Sequence, residues 1–124
     1  TGTVVYLEPL NRYQDHMINT LADARRYIVE NDLKHVQIIG DFYHMNIEED
    51  NLAQALHDNR DLLGHVHIAD NHRYQPGSGP LDFHALFEQL RADNYQGYVV
   101  YEGRIRAENP AQAYRDSLAW LRTR

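Results

Sequence analysis

The sequence contains no cysteine, and no apolar run approaches the length of a membrane-spanning helix. Without cysteine the chain forms no disulfide and no thiolate metal site, so any metal ligands must be nitrogen or oxygen atoms. The lack of cysteine also suits the reducing cytosol, and we expect a cytoplasmic protein. Because about 20 consecutive apolar residues are needed to cross a bilayer, we expect no membrane partner.

Positive charge is also scarce. The chain has 12 Lys and Arg residues against 18 Asp and Glu residues, which gives a formal net charge of −6. Proteins that bind the phosphate backbone usually present a basic surface, so we expect no nucleic-acid partner. The rest of the composition, 43% hydrophobic and 24% charged, is ordinary for a globular protein. A chain of 124 residues is long enough for one small domain with a core.

Short apolar segments alternate with amphipathic segments along the chain. The apolar segments predict four strands, Thr3–Leu7, His35–Ile39, Gly64–Ala69 and Tyr98–Tyr101. The amphipathic segments predict four helices that begin near Leu21, Leu52, Phe83 and Pro110. A loop is expected through Asn46, with the acids Glu48, Glu49 and Asp50 at the start of the second helix. This alternation predicts parallel strands with right-handed crossovers, either half of an eight-stranded barrel or a small open sheet.

Titratable residues recur at the carboxyl ends of the predicted strands: Glu8, Asp41, His67 and Glu102. Each alone is a weak indicator, because a lone acid after a strand is commonly a solvated loop residue. Together they are stronger, since neighbouring parallel strands bring their ends to one edge, where barrels carry catalytic residues. Three carboxylates and one imidazole suit Mn²⁺, Mg²⁺ or Co²⁺ better than a structural zinc.

The chain starts with Thr-Gly-Thr directly before the first predicted strand, without an initiator Met or a signal peptide. We therefore expect it to be the C-terminal portion of a longer protein. Four parallel strands leave two open sheet edges, which tend to associate unless they are covered. We expect a homo-oligomer or association with the missing half of the barrel, and an inactive half-barrel fragment is an alternative interpretation.

Four separated motifs carry a resemblance to a known family: LEPLNRY, DFYHMNIEED, GHVHIADNHRYQPGSG and YVVYEGR. They resemble the second half of the sugar phosphate isomerase/epimerase family, the xylose-isomerase-like TIM barrels. The resemblance covers essentially the whole chain. It implies an α/β fold, the C-terminal half of a TIM (β/α)8 barrel with four parallel βα units, as one domain over residues 1–124 that supplies strands 5 to 8.

The resemblance also implies an enzyme, a metal-dependent epimerase of a keto-sugar or a 3-keto-glycoside, with a small carbohydrate as its partner. The reaction would deprotonate and reprotonate a carbon next to a ketone through a metal-stabilised cis-enediolate. The implied ligands of one divalent metal, commonly Mn²⁺, are Glu8, Asp41, His67 and Glu102. Glu8 and Glu102 would also be the acid/base pair, while His44 and Arg73 would hold substrate oxygens.

One position departs from the family pattern, because ketose epimerases often have a Glu where this chain has Gln14. This difference leaves the implied metal ligands intact but argues against a simple ketohexose substrate. Two other activities remain open. An aldose–ketose isomerase of the hydroxypyruvate type would use the same intermediate and move the proton between adjacent carbons. A metal-dependent AP endonuclease shares the fold but is disfavoured by the net charge of −6.

Overall fold

The structure is a computed structural model that describes residues 2–124. The elements follow the order β1 (Val5–Leu7), α1 (Leu21–Glu30), β2 (Val36–Asp41), α2 (Phe42–Glu48), α3 (Leu52–Asp58), β3 (Leu63–Ile68), α4 (Phe83–Ala92), β4 (Val99–Tyr101) and α5 (Pro110–Leu121). The predicted strands and helices are confirmed, and α2 is an additional helix. Within residues 2–124, no helix combines the length and apolar character of a membrane span.

The four strands form one sheet in the order β1-β2-β3-β4, and every neighbouring pair is parallel. The register aligns Leu7 with Ile38, Asp41 with His67, and His67 with Val100. This arrangement confirms the predicted α/β class. It also brings the carboxyl ends of all four strands to one edge of the sheet, as parallel pairing requires.

Polar residues mark the starts of the helices. Side-chain oxygens of Thr20, Asn51, Asp82 and Asn109 each accept a backbone N–H in the first turn of α1, α3, α4 and α5. Each such cap stabilises a helix by about 1 kcal/mol. Pro110 occupies the start of α5, where its missing N–H costs no hydrogen bond.

The helices cover one face of the sheet. Strand residues such as Ile38, Val66 and Ile68 are buried against helix residues that include Leu56 and Phe83. Burial of this apolar surface is the main contribution that stabilises the fold. The opposite face has no such cover among the described residues, where Tyr6 is 46% and Val100 39% exposed.

The prediction of a loop through Asn46 is wrong, because this residue belongs to α2. The Asp41 side chain caps α2 by accepting the N–H groups of Tyr43 and His44. Phe42 and Met45 then pack into the core. A helix forms here because a residue at the end of a strand also supplies its N-cap.

Two of the acids expected at the start of α3, Glu48 and Glu49, have other partners. Glu48 is the last residue of α2 and forms an ion pair with Arg12 at 3.0 Å. Glu49 accepts the backbone N–H of Leu21 at 2.8 Å, at the start of α1. These two contacts connect the loop after β1 to α2 and α2 to α1.

Candidate functional site

One side chain from each strand reaches the same point at the carboxyl edge of the sheet. Glu8 directly follows β1, Asp41 ends β2, His67 lies near the end of β3, and Glu102 directly follows β4. One potential ligand atom from each residue lies within 4.8 Å of those of the other three. We call these four residues the tetrad. The structure brings together all four residues that the sequence singled out for metal binding.

The imidazole of His67 lies at the centre of the tetrad. Its Nδ1 is 3.1 Å from Glu8 Oε1, 2.9 Å from Glu102 Oε2 and 3.7 Å from Asp41 Oδ2. Only the Glu8 contact has hydrogen-bond geometry. The other two oxygens therefore surround the ring nitrogen at close range without being bonded to it.

Asp41 is the most firmly held member of the tetrad, and its side chain is fully buried. Its Oδ1 accepts the N–H of Tyr43 at 2.9 Å and that of His44 at 3.2 Å. Both of its oxygens also lie 2.9 Å from Nη1 of Arg73. A buried carboxylate needs such donors, because burial without them carries a large desolvation cost.

Arg73 joins the tetrad from the loop that follows β3. In addition to Asp41, its guanidinium contacts Oε2 of Glu102 at 2.6 Å and lies 4.7 Å from the centre of the Tyr43 ring. Its backbone φ is 67°, a left-handed conformation that residues with a side chain seldom adopt. Arg73 thus connects the buried and the exposed carboxylates of the tetrad.

The donor set of the tetrad fits a divalent cation. With a neutral imidazole, the tetrad carries three carboxylate charges, and Arg73 supplies one positive charge against them. A divalent cation would balance the two negative charges that remain. Oxygen-rich donor sets with one imidazole suit Mg²⁺ and Mn²⁺, which prefer hard ligands.

The electrostatic environment of the tetrad also changes the pKa of Glu8. Burial and the nearby charge of Asp41 raise the pKa of Glu8, while its hydrogen bond with His67 partly opposes this rise. The folded chain therefore disfavours ionised Glu8 relative to a solvent-exposed glutamate. A cation at the tetrad would reverse this preference, because it stabilises the ionised carboxylate.

His44 lies in α2, three residues after Asp41, and is buried. Its Nδ1 accepts the backbone N–H of Asn11 at 3.1 Å and lies 2.9 Å from the Asn11 side-chain nitrogen. A nitrogen that accepts a backbone N–H carries no proton itself, so the ring proton resides on Nε2. Burial also lowers the pKa of His44, which favours the neutral ring. The sequence did not identify Asn11 as a partner of His44.

A cavity of about 550 Å³ opens beside the tetrad. It is lined by Gln14, Tyr43, His72, Arg73, Glu102, Gly103 and Arg104. Its size falls in the range of small-molecule sites in proteins. Glu102 and Arg73 belong both to the cavity wall and to the charged cluster, so a ligand in the cavity would contact the tetrad directly.

Comparison with known proteins assigns this chain to a family. Residues 1–124 match the family model for the xylose isomerase-like TIM barrel. The chain belongs to this family. The resemblance carried by the four sequence motifs is thereby confirmed, together with the interpretation of the sheet as part of a TIM barrel.

Relatives in the family are named as sugar epimerases. The chain is 98% identical over 123 residues to the 3-dehydro-D-guloside 4-epimerase of Escherichia coli K12, and the match covers 99% of the chain and 47% of that protein. It is 41% identical to the D-psicose 3-epimerase of Enterocloster bolteae, over 80% of the chain and 33% of that protein. The chain thus spans about half the length, or less, of the curated relatives it matches.

A solved structure gives the same result. The crystal structure of the apo 3-keto-D-glucoside 4-epimerase from Escherichia coli superposes with a TM-score of 0.98 at 98% sequence identity. The superposition covers 99% of the chain and 47% of that structure. The four parallel strands with their helices therefore correspond to about half of a TIM-barrel epimerase.

Proposed function

We propose that this chain supplies the metal-binding and proton-transfer half of an epimerase that inverts a carbon next to the ketone of a keto-sugar or a 3-keto-glycoside. The observation that carries the proposal is the convergence of Glu8, Asp41, His67 and Glu102 beside an open cavity. The names of the related proteins support the same reaction class.

The tetrad would hold one divalent metal, for which we propose Mn²⁺, with Mg²⁺ or Co²⁺ as alternatives. When bound, such a metal stabilises negative charge that develops on substrate oxygens. The unbalanced charge of the three carboxylates supports this assignment. Arg73 restrains Asp41 and Glu102 from the side of the cavity.

Glu8 and Glu102 would transfer the protons. Inversion of a carbon requires a base on one face and an acid on the other. These two carboxylates come from the outermost strands of the sheet and lie near Nδ1 of His67, at 3.1 Å and 2.9 Å. One carboxylate would take the C–H proton, and the other would return a proton to the opposite face of the same carbon.

His44 and Arg73 would orient the substrate oxygens. The proton on Nε2 makes the neutral His44 ring a hydrogen-bond donor on the side away from Asn11. Arg73 would add a positive charge at the wall of the cavity. Gln14 lies in the same wall, and its neutral amide supports a 3-keto-glycoside rather than a simple ketohexose as the substrate.

The reaction can be tested by NMR on the full-length protein that contains this chain, with keto-sugars and 3-keto-glycosides in D₂O and Mn²⁺. We expect deuterium to appear at the inverted carbon, because the carbon-bound proton passes through a carboxylate that exchanges with solvent. Deuterium at the neighbouring carbon, with aldose formation, would identify an isomerase instead. If no substrate in the panel exchanges a proton, the proposal is wrong.

A further inference from the structure

Asp70 is a buried carboxylate that the proposed reaction does not use. It is 0% exposed and directly follows the residue after β3. Its Oδ1 accepts the N–H groups of Asn71 at 2.9 Å and Leu81 at 3.3 Å, and its Oδ2 accepts that of Gly77 at 3.0 Å. No ion pair of Asp70 occurs among residues 2–124. Backbone N–H groups alone therefore compensate this buried charge.

These donors belong to one loop, residues 70–81, which folds around the Asp70 side chain. A Cβ atom added to Gly79 would lie 2.3 Å from Oδ1 of Asp70 and 2.6 Å from Oδ1 of Asn71. The loop backbone thus approaches the carboxylate so closely that position 79 has no space for a side chain. The carboxylate and the loop fit each other as a single packed unit.

The same loop carries Arg73, and backbone hydrogen bonds of Asp70 hold the first turn of this loop. The backbone N–H of Arg73 donates to the carbonyl of Asp70 at 2.9 Å, and the N–H of Asp70 donates to the carbonyl of Tyr74 at 2.9 Å. The Arg73 carbonyl then accepts the N–H of Arg104 at 2.7 Å. Because its φ is 67°, Arg73 needs such support to remain in this conformation.

We propose that Asp70 is a positioning residue for Arg73. Its carboxylate accepts backbone N–H groups from across residues 70–81 and so fixes the conformation of this loop. The loop in turn holds the guanidinium of Arg73 against Asp41 and Glu102. Asp70 itself is neither a member of the tetrad nor one of the residues that line the cavity. This role of Asp70 rests on the proposed function only where activity is measured.

Two variants of the full-length protein test the inference. Asp70→Asn replaces one acceptor oxygen with a donor, and Gly79→Ala presses on the same carboxylate without changing any charge. Each should lower kcat by about 10- to 100-fold, the usual range for residues that orient a site through another residue. Each should also shift or broaden the Nε–Hε NMR resonance of Arg73, which reports the guanidinium directly.

A double-mutant cycle separates positioning from a merely structural role. In an Arg73→Lys background, Asp70→Asn should lower kcat by less than about threefold, because the residue through which it acts is already changed. If Asp70→Asn lowers kcat by the same factor with and without Arg73→Lys, the inference is overturned. An unchanged Arg73 resonance in both single variants would also overturn it. Glu88→Gln, an exposed carboxylate on α4, is the matched control and should leave kcat and the Arg73 resonance unchanged.

Failure of the inference can be distinguished from failure of the proposed function. If the wild-type protein exchanges no substrate proton, the proposed function fails, while the Arg73 resonance still decides the role of Asp70. If one of the two single variants does not fold, as judged by its thermal transition, the Arg73 resonance of the other decides the role of Asp70. If neither folds, Asp70 has a structural role and the inference is overturned.

Discussion

The two inner strands differ sharply from the two outer strands. β2 and β3 have six residues each, and their core residues Ile38 and Val66 are fully buried. β1 and β4 have three residues each, and Val5 and Val99 are 55% and 40% exposed. Inner strands have a partner on both sides, whereas each outer strand presents one unpaired edge.

The tetrad divides in the same way. Asp41 and His67 belong to the inner strands, and their side chains are 0% and 15% exposed. Glu8 and Glu102 follow the outer strands, with side chains 26% and 48% exposed. The chain therefore builds the centre of the site completely and places the two proposed proton-transfer groups where the sheet still needs neighbours.

The largest effect is expected when the inner region loses Asp41. Asp41→Ala removes a proposed metal ligand, the cap of α2 and the partner of Arg73. We expect a loss of about 3–5 kcal/mol in the free energy of unfolding, typical of breaking a buried ion pair, and no Mn²⁺ binding by calorimetry. Asp82→Ala, which removes only the cap of α4, is the control and should cost about 1 kcal/mol. If the two variants lose the same free energy of unfolding, Asp41 is no more important to stability than an ordinary helix cap.

Substitution of the outer carboxylates should affect activity more than stability. Glu8→Gln and Glu102→Gln in the full-length protein should each lower kcat by about 10²–10⁴-fold, the usual contribution of a proton-transfer group. Their thermal transitions without metal should stay close to that of the wild type, because neither group is fully buried. A variant that keeps wild-type kcat would remove that residue from the proposed pair.

The exposed edges should make the isolated 124-residue chain associate. We expect light scattering to show a dimer or a larger species, and Val5→Lys should shift it toward monomer because a charge on an edge strand opposes strand pairing. Val29→Lys makes the same change at an exposed position of α1 and should have no effect. A wild-type chain that is monomeric at high concentration would show that the edges need no partner.

The smallest effect is expected at Glu49, which connects α2 to the start of α1. Burial raises the pKa of Glu49, so the folded chain binds its proton more readily than the unfolded chain. Its contribution to stability is therefore lost as pH rises above about 4.5 and through the raised pKa. Glu49→Gln should weaken this pH dependence in denaturant titrations by less than about 0.5 kcal/mol. If the variant instead loses stability more steeply than the wild type as pH rises, the expected direction of the Glu49 effect is wrong.

The sequence was sufficient for the features that repeat. Each strand is a short apolar run, and each run ends at or near a titratable residue, so the parallel order and the tetrad followed from one rule. The family resemblance added Arg73, which the structure places against Asp41 and Glu102. These features are local in the sequence or repeat at the length of one βα unit.

Contacts between distant residues could not be predicted in this way. α2 depends on Asp41 serving both as the end of a strand and as a helix cap, and a strand pattern does not reveal the second role. The bond from Asn11 to His44 joins residues 33 positions apart. The enclosure of Asp70 depends on donors 7 and 11 residues later, in a loop without periodicity.

The tetrad has one residue at the carboxyl end of every strand, either within the strand or directly after it. A single ion held by all four would act as a cross-link between its first and last strands, across three rows of parallel pairing. At a concentration 100 times its dissociation constant, such an ion stabilises the folded chain by about 2.7 kcal/mol. An unfolding experiment at known ion concentrations would then also measure the metal affinity. The short outer strands would gain the most stability from the bound ion.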